Sequence, residues 1–284
     1  MPNASDLLKG VVTVASLPGI YIRLSDVIND PRSSADDVGA IIADDPGLTA
    51  RLLKLVNSAM YGFPSKIETV SHAISIVGTA QLQDLALATS VIRLFANMPE
   101  DLVTMESFWR HSIACGVTAR IIAARRREPN VERFFVAGLL HDIGRPIIYM
   151  RAADQARVAI DRAREEKIPL FRAEQDVFGF THAHVGNALL ETWKLPPTLR
   201  EAVACHHFPD RATRFPVEAA VVHVADVFAN ALRLGSSGER LVPPFDARAW
   251  ATVGLAPAMV PGILEEAERH YDAAVQAIAV DVRQ

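Results

Sequence analysis

The hydrophobic positions of this chain repeat at helical spacing along almost its whole length. Val38, Ile41 and Ile42 recur on one side of the segment Ala35–Ala43, and Ser34 stands where a helix-capping residue is expected. Short alternating runs rich in β-branched residues, which are typical of strands, are scarce. The pattern therefore predicts an all-α fold.

Proline, glycine and capping residues set the bounds of the other predicted helices. Before residue 100, one helix is predicted to begin at Pro46, another runs from Thr69 to Gly78, and a long apolar helix covers residues 82–95. The later predicted helices cover residues 108–125, 131–140, 152–166, 182–194, 197–206 and 216–234, with two more between 246 and 280. The segment Gly235–Ser236–Ser237–Gly238 is predicted to be a flexible joint.

Composition limits the classes of function. The chain has 284 residues, is 50% hydrophobic and 22% charged, and has a formal net charge of −4, which is typical of globular proteins with ample core. The acidic balance argues against nucleic-acid binding, although the cationic run at 120–127 leaves RNA binding or cleavage as a third alternative. Two cysteines, no signal-peptide pattern at 1–10 and no apolar run of ~18 residues favour a cytoplasmic protein without membrane spans.

A histidine and an aspartate stand side by side directly after an apolar stretch. His141 and Asp142 follow residues 134–140, where a charged pair is costly unless a metal ion compensates for it. Neighbours on a helix point about 100° apart, so both reach one site only near a helix end, which Gly144 and Pro146 are expected to supply. Asp142 could then bridge two ions. Alternatively, the pair lies on the surface at a helix terminus.

A second carboxylate is predicted at Asp226, because an acid within the apolar helix segment 221–229 is rarely without a function. His223, one turn earlier, either supports Asp226 or is a half-exposed helix histidine. Arg145 could hold a phosphate group, or it could be an exposed arginine without a role.

Several other histidines are candidate ligands, although a satisfied core histidine or a helix-terminal histidine is the structural alternative for each. His182 is preferred over His184, for which a solvated or supporting position is expected. The predicted metal ligands are His111, His141, Asp142, His182, His206, His207 and Asp226. Nitrogen and oxygen donors of this kind suit one or two divalent ions of iron, manganese, nickel or zinc, and they exclude a tetrathiolate site.

The order of these residues resembles the motif of the HD phosphohydrolase superfamily, which consists of a His, a His-Asp pair and a distal Asp. His111, His141–Asp142 and Asp226 match that motif. His182 and the pair His206–His207 resemble the extended ligand set of its HD-GYP branch, whose members are binuclear cyclic-di-GMP phosphodiesterases. The chain continues with Phe208-Pro209-Asp210-Arg211 and lacks the Gly-Tyr-Pro motif, which argues against cleavage of cyclic-di-GMP.

The first part of the chain resembles a different branch, the HDOD domain. The matching motifs are Leu17-Pro18, Asp45-Pro46-Gly47-Leu48-Thr49, Leu55-Val56-Asn57-Ser58-Ala59, Ala73-Ile74 through Gly78, and Leu189-Leu190 through Pro196. The resemblance implies an N-terminal helical bundle packed on an HD-type helical core. We therefore expect an N-terminal segment at 1–16, an HDOD domain at 17–235 and a C-terminal helical extension at 236–284. Within the domain, the bundle would cover 17–100 and the core with the metal site 105–235.

This resemblance implies a bacterial signal-transduction module, which is the first hypothesis for function. Such a module would retain its metal site and act through a protein partner in a signalling pathway or a small phosphorylated ligand. The alternative is a metal-dependent phosphohydrolase acting on a nucleotide or a phosphodiester, with Asp142 and Arg145 as catalytic residues. The sequence alone leaves open whether the protein is an enzyme.

Overall fold

The structure is a computed structural model that describes residues 3–9, 17–95 and 100–278. Within these ranges the chain forms fifteen α-helices and three short 3-10 helices, and no strand is present. The prediction of an all-α fold is therefore confirmed.

The first five helices form an N-terminal bundle. They are α1 (Gly19–Asn29), α2 (Ala35–Ala43), α3 (Pro46–Val56), α4 (Val70–Val77) and α5 (Thr79–Leu94). The helix starts follow from the local sequence, because the side chains of Ser34, Asp45 and Thr69 each accept a hydrogen bond from a backbone N–H in the first turn. Leu24, Ile42 and Leu48 are fully buried between these helices.

Eight further helices form the core that carries the candidate site, and two more follow it. The core helices are α6 (Met105–Arg126), α7 (Val131–Leu140), α8 (Gly144–Arg151), α9 (Ala153–Glu166), α10 (Leu170–Phe178), α11 (His182–Thr192), α12 (Pro197–Cys205) and α13 (Pro216–Ala231). The C-terminal helices are α14 (Ala247–Val253) and α15 (Val260–Ile278), as the pattern predicts for this part of the tail. Residues 279 and 280 of the predicted tail lie outside the described ranges. No helix that the structure describes is long and apolar enough to cross a bilayer.

Helices α6 and α7 pack unusually closely, and this contact places two candidate ligands side by side. A Cβ atom added to Gly138 would lie 2.8 Å from the carbonyl oxygen of Cys115, so only glycine fits there. The close approach brings the end of α7, where His141 lies, against the second turn of α6, where His111 lies.

A polar cluster fastens the bundle to the core. The guanidinium of Arg120 on α6 donates to Glu132 at 2.9 Å and to the carbonyl of Met60, and it lies 4.5 Å from the ring centre of Tyr61. These contacts join the segment after α3 to helices α6 and α7. The bundle and the core are therefore held together by charge and by apolar packing.

The structure corrects several local predictions. Helices α1, α8 and α10 were not expected, and Gly144 and Pro146 lie in the first turn of α8 instead of ending the preceding helix. The segment Gly235–Gly238 is not a flexible joint, because Ser237 is 1% exposed and packs inside the core. The C-terminal extension predicted from residue 236 thus begins with residues that belong structurally to the core.

Candidate metal centre

Five helices bring the seven predicted ligands to one place. The side chains form two groups of possible ligands, namely His111, His141 and Asp226 in the first and Asp142, His182, His206 and His207 in the second. All of them are buried except His207, which is partly exposed. The alternative of a His-Asp pair on the surface is therefore wrong.

The carboxylate of Asp142 lies between the two groups, and each of its oxygens faces one of them. Oδ2 is 3.3 Å from Nε2 of His141 and 3.9 Å from Nε2 of His111. Oδ1 is 2.8 Å from Nε2 of His182 and 3.7 Å from Nε2 of His206. This is the placement that a carboxylate needs to bridge two ions.

Within each group the ring nitrogens point at a common centre. In the first group, Asp226 Oδ1 lies 3.2 Å from Nε2 of His111 and 3.4 Å from Nε2 of His141. In the second group, Nε2 of His182 lies 3.3 Å from Nε2 of His206 and 3.0 Å from Nε2 of His207. The sequence predicted that these residues meet, and the structure brings all of them together.

Backbone carbonyls fix the orientation of two of the rings. Nδ1 of His141 donates to the carbonyl of Gly138 at 2.7 Å, and Nδ1 of His206 donates to the carbonyl of Val203 at 2.8 Å. A carbonyl only accepts, so Nδ1 carries the proton and Nε2 of the neutral ring carries the lone pair. Both histidines are the C-cap residues of their helices, where free carbonyls one turn earlier are available.

A buried glutamate orients a third ring. Glu174 on α10 accepts a hydrogen bond from Nδ1 of His182 at 2.6 Å and another from the His182 backbone N–H at 2.9 Å. A carboxylate behind a histidine is the usual support of a metal-binding imidazole. Sequence reasoning missed Glu174, because nothing in its local sequence distinguishes it from a surface glutamate.

The pKa values favour the forms that bind metal at two of these residues. Burial, followed by the neighbouring His141 and His182, lowers the pKa of His206 to about 3, so its ring is neutral. Burial opposes the ionisation of Asp142, but Arg145 and His141 outweigh it and hold the carboxyl pKa well below its usual value. A neutral imidazole and an ionised carboxylate are the protonation states that metal ligands require.

The centre also favours positive charge. Burial lowers the pKa of His141, but Asp142 outweighs that effect and raises it well above the ordinary histidine value. A cation placed among His141, Asp142 and Asp226 would take over the role of that proton. The converging Nε2 atoms and the two ionised carboxylates therefore fit a pair of divalent transition-metal ions.

Three residues next to the centre hold Asp142 in position. The Ser237 hydroxyl donates to Asp142 Oδ2 and accepts from the Arg145 guanidinium at 2.7 Å. The Tyr149 hydroxyl donates to the Ser237 carbonyl at 2.6 Å. Arg145 is 1% exposed, so its alternative as an exposed arginine is wrong. Sequence reasoning missed Ser237 because it interpreted the surrounding glycines and serines as a mobile linker.

His223 and His184, which are not among the candidate ligands, are placed differently from each other. His223 is 3% exposed, which contradicts the expectation of a half-exposed helix histidine. Its Nδ1 donates to the carbonyl of His206 at 2.7 Å, and its Nε2 accepts from the Asp246 backbone N–H at 3.0 Å. His184 is exposed, and its Nδ1 accepts from the backbone N–H of Thr181 at 3.1 Å. His223 thus supports the ligand segment, whereas His184 only caps its own helix.

The fold and this cluster define the class as an all-helical protein with a candidate two-ion centre built from histidines and aspartates. The model of the HDOD domain matches residues 14–209. The chain therefore belongs to the HDOD domain family. The matched residues contain six of the seven candidate ligands, and Asp226 lies beyond them.

Similar structures and sequences agree with this assignment. The crystal structure of an HDOD domain protein of unknown function from Geobacter sulfurreducens has a TM-score of 0.70 and 26% identity, and covers 94% of this chain and 90% of that one. A structure from Shewanella amazonensis SB2B, provisionally described as a phosphohydrolase, also has a TM-score of 0.70, with 24% identity and coverage of 95% and 96%. Its likeness shows a shared fold.

A curated relative is considerably longer than this chain. An uncharacterised protein of Treponema pallidum (strain Nichols) is 25% identical over 206 residues, which are 72% of this chain and 39% of the relative. The chain thus spans well under half the length of that protein.

Proposed function

We propose that this HDOD protein is a metal-dependent phosphohydrolase with two divalent ions in its core. The observation that carries the proposal is the position of Asp142, whose two carboxylate oxygens each face a separate group of ligands. When bound, two such ions activate water and neutralise the charge that develops on phosphoryl oxygens.

The side chains of this protein hold and orient the centre in this proposal. Asp142 would hold both ions, and the other members of the first and second groups would complete the two sites. The sequence predicted that Arg145 binds phosphate as a catalytic residue. We propose a different role, because its guanidinium contacts Asp142, Glu174 and Ser237 inside the core. In this role Arg145 positions Asp142 and offsets the negative charge of the buried carboxylates of Asp142 and Glu174.

We infer that a ligand approaches the centre beside His207. This residue is the partly exposed member of the second group, and it lines a surface cavity of about 250 Å³. A phosphoester could approach the ions from this side, while the buried side chains around Asp142 keep bulk water away.

A second candidate function is a signal-transduction module whose ions serve stability. The burial of six of the seven ligands favours it, because a site built only for structure needs no open position. In that case the protein would act in the cytoplasm through a protein partner or a small phosphorylated ligand. Its two thiols, Cys115 and Cys205, are free in the structure, which is compatible with a reducing compartment.

The metal content of the purified protein is the first test. We expect one or two iron, manganese, nickel or zinc ions per wild-type chain after anaerobic purification, and their loss in His141→Ala and Asp226→Ala. His72→Ala is the matched control, since His72 is an exposed histidine on α4. Absence of metal from the wild type after reloading would contradict both candidate functions.

Turnover distinguishes the two candidates. The wild-type protein loaded with manganese, iron or nickel is tested on a panel of phosphomonoesters and phosphodiesters. We expect release of phosphate or cleavage of a diester that disappears in Asp142→Asn. A fully loaded protein that hydrolyses none of the panel would favour the signalling module.

A further inference from the structure

The cavity beside His207 is lined mainly by aromatic and proline side chains. It is lined by Phe171, Arg172, His207, Phe208, Pro243 and Phe245, among other residues. Two of these aromatic rings are partly exposed to solvent, Phe208 at 38% and Phe245 at 47%. Exposed aromatic side chains around one concave site indicate a place for an apolar, planar group.

The walls of the cavity are fixed to the candidate metal centre. The ring of Phe171 stacks on His207 at 4.2 Å between centroids and 20° between planes, and Phe208 meets Phe171 edge-on at 5.5 Å. The candidate ligand His207 is therefore itself part of the aromatic wall. A molecule seated in the cavity would lie directly beside the second group of ligands.

The part of the wall formed by Phe245 and Asp246 is also held in place. The backbone N–H of Asp246 donates to Nε2 of His223, and Nδ1 of His223 donates to the carbonyl of His206. Pro243 and Pro244 restrict the backbone that precedes Phe245. The ring of Phe245 is thus presented by a segment that is tied through His223 to the end of α12, so binding there requires little ordering.

The charged residues of the cavity favour an anionic ligand. Arg172 is exposed and lines the cavity. Asp246 also lines the cavity. Its carboxylate accepts hydrogen bonds from Arg248, which offsets its negative charge. The cavity thus combines one cation with several aromatic rings, and it lies next to a centre that suits phosphate. A ligand that joins a planar ring to a phosphate would fit this combination.

We propose that this cavity is the binding site for the base of a nucleoside monophosphate, whose phosphate lies at the metal centre. The volume of about 250 Å³ is below the ~300–1,000 Å³ of sites that enclose a drug-sized ligand, so it accommodates one ring system and not a dinucleotide. The placement of the phosphate rests on the proposed phosphohydrolase function. The aromatic recognition rests on the cavity alone.

Calorimetric binding to the metal-loaded protein tests this inference. The probes are adenosine 5′-monophosphate and glycerol 3-phosphate, which carry the same phosphate group with and without a base. We expect the nucleotide to bind about tenfold more tightly, and Phe208→Ala and Phe245→Ala each to remove most of that difference, because stacking on one aromatic side chain contributes roughly a fivefold to hundredfold gain. Ile22→Ala, which removes an apolar side chain that is 48% exposed on α1, is the control.

The outcomes separate this inference from the proposed function. Equal affinity for both probes, or a nucleotide preference that both phenylalanine variants retain, would overturn the aromatic site even if the protein hydrolyses phosphoesters. A nucleotide preference that depends on Phe208 and Phe245 would support the site even if no hydrolysis occurs. Metal analysis of both variants must match that of the wild type, which shows that the centre itself is unchanged.

Discussion

At the scale of single residues, the centre depends on side chains that do not face the proposed ions. The carboxylate of Asp142 is held by Ser237 and Arg145, and the ring of His182 is held by Glu174. Such supporting contacts fix the geometry and the basicity of the ligands, and their loss commonly weakens metal binding roughly tenfold to hundredfold. The ligands alone therefore do not make the site.

Ser237→Ala tests this support. The variant removes the hydroxyl that joins Asp142 to Arg145 but leaves every candidate ligand in place. We expect metal affinity to fall about tenfold to hundredfold, measured by competition with a chelator of known affinity. Ser236→Ala is the matched control, because the Ser236 hydroxyl donates to the Glu239 carbonyl and does not contact Asp142. Equal affinities in the two variants would show that Ser237 does not support the centre.

The sequence indicated the ligands but not their supports, for a physical reason. His141 and Asp226 could be predicted because a polar residue in an apolar helix requires a partner. Glu174 and Ser237 stand in polar surroundings in the sequence, and only the tertiary fold buries them. A residue whose function depends on a partner 95 positions away, as Ser237 depends on Asp142, leaves no local signal.

At the scale of helices, the turn between α7 and α8 determines where the His-Asp pair points. Pro146 occupies the first turn of α8, where a missing N–H costs nothing because those donors lack helical partners. From the sequence, Gly144 and Pro146 were expected to end the helix that carries His141, but in the structure they begin α8. The helix starts predicted from Ser34 and Thr69 are correct at α2 and α4, where the cap is a local hydrogen bond, and Pro46 begins α3 as predicted.

Gly144→Ala tests the crossing of α8 and α11. An added Cβ would overlap the His182 carbonyl oxygen and lie 2.7 Å from the Gly186 nitrogen, both of which are backbone atoms. We expect a loss of about 1–3 kcal/mol in the free energy of unfolding, together with displacement of His182 from the centre. Urea denaturation and metal analysis measure the two effects.

The matched control for that variant is Gly19→Ala. Gly19 is the first residue of α1, and a Cβ added there meets no atom within 4 Å. Alanine favours a helix over glycine by up to about 1 kcal/mol, so this substitution should be neutral or stabilising. Unchanged stability in Gly144→Ala would mean that α8 and α11 can move apart, and the close contact would not constrain His182.

At the scale of the whole molecule, the bundle and the core meet at partly buried charges. Asp84 on α5 accepts a hydrogen bond from Asn130, the N-cap of α7, at 2.9 Å. Burial raises the pKa of Asp84 to about 6 from 3.8, although the hydrogen bond from Asn130 opposes this. The folded protein therefore binds this proton more tightly than the unfolded chain does.

Asp84→Asn should consequently stabilise the protein in a pH-dependent way. The favourable contribution of the neutral carboxyl is fully present below pH 3.8 and is lost as the pH rises through about 6, so the ionised group is a cost at pH 8. We expect the variant to gain about 1–2 kcal/mol at pH 8, after allowance for solvent around this side chain, and less at pH 5. Urea denaturation of both proteins at the two pH values measures this gain. A gain that is equal at both pH values would contradict a raised pKa.

Metal removal should destabilise the entire core, because the centre joins five helices. Ligands from α6, α11 and α13 and from the ends of α7 and α12 converge there, and without cations their lone pairs and carboxylates face one another. A ligand present at a hundredfold excess over its dissociation constant stabilises a protein by about 2.7 kcal/mol, which corresponds to a rise of roughly 5 °C or more in Tm for a chain of this size. We expect chelation to lower the Tm of wild type and His72→Ala by this amount and to leave His141→Ala unchanged. An unchanged Tm in wild-type protein that has demonstrably lost its metal would show that the stability of the helices does not depend on the ions, and it would favour turnover as the role of the seven candidate ligands.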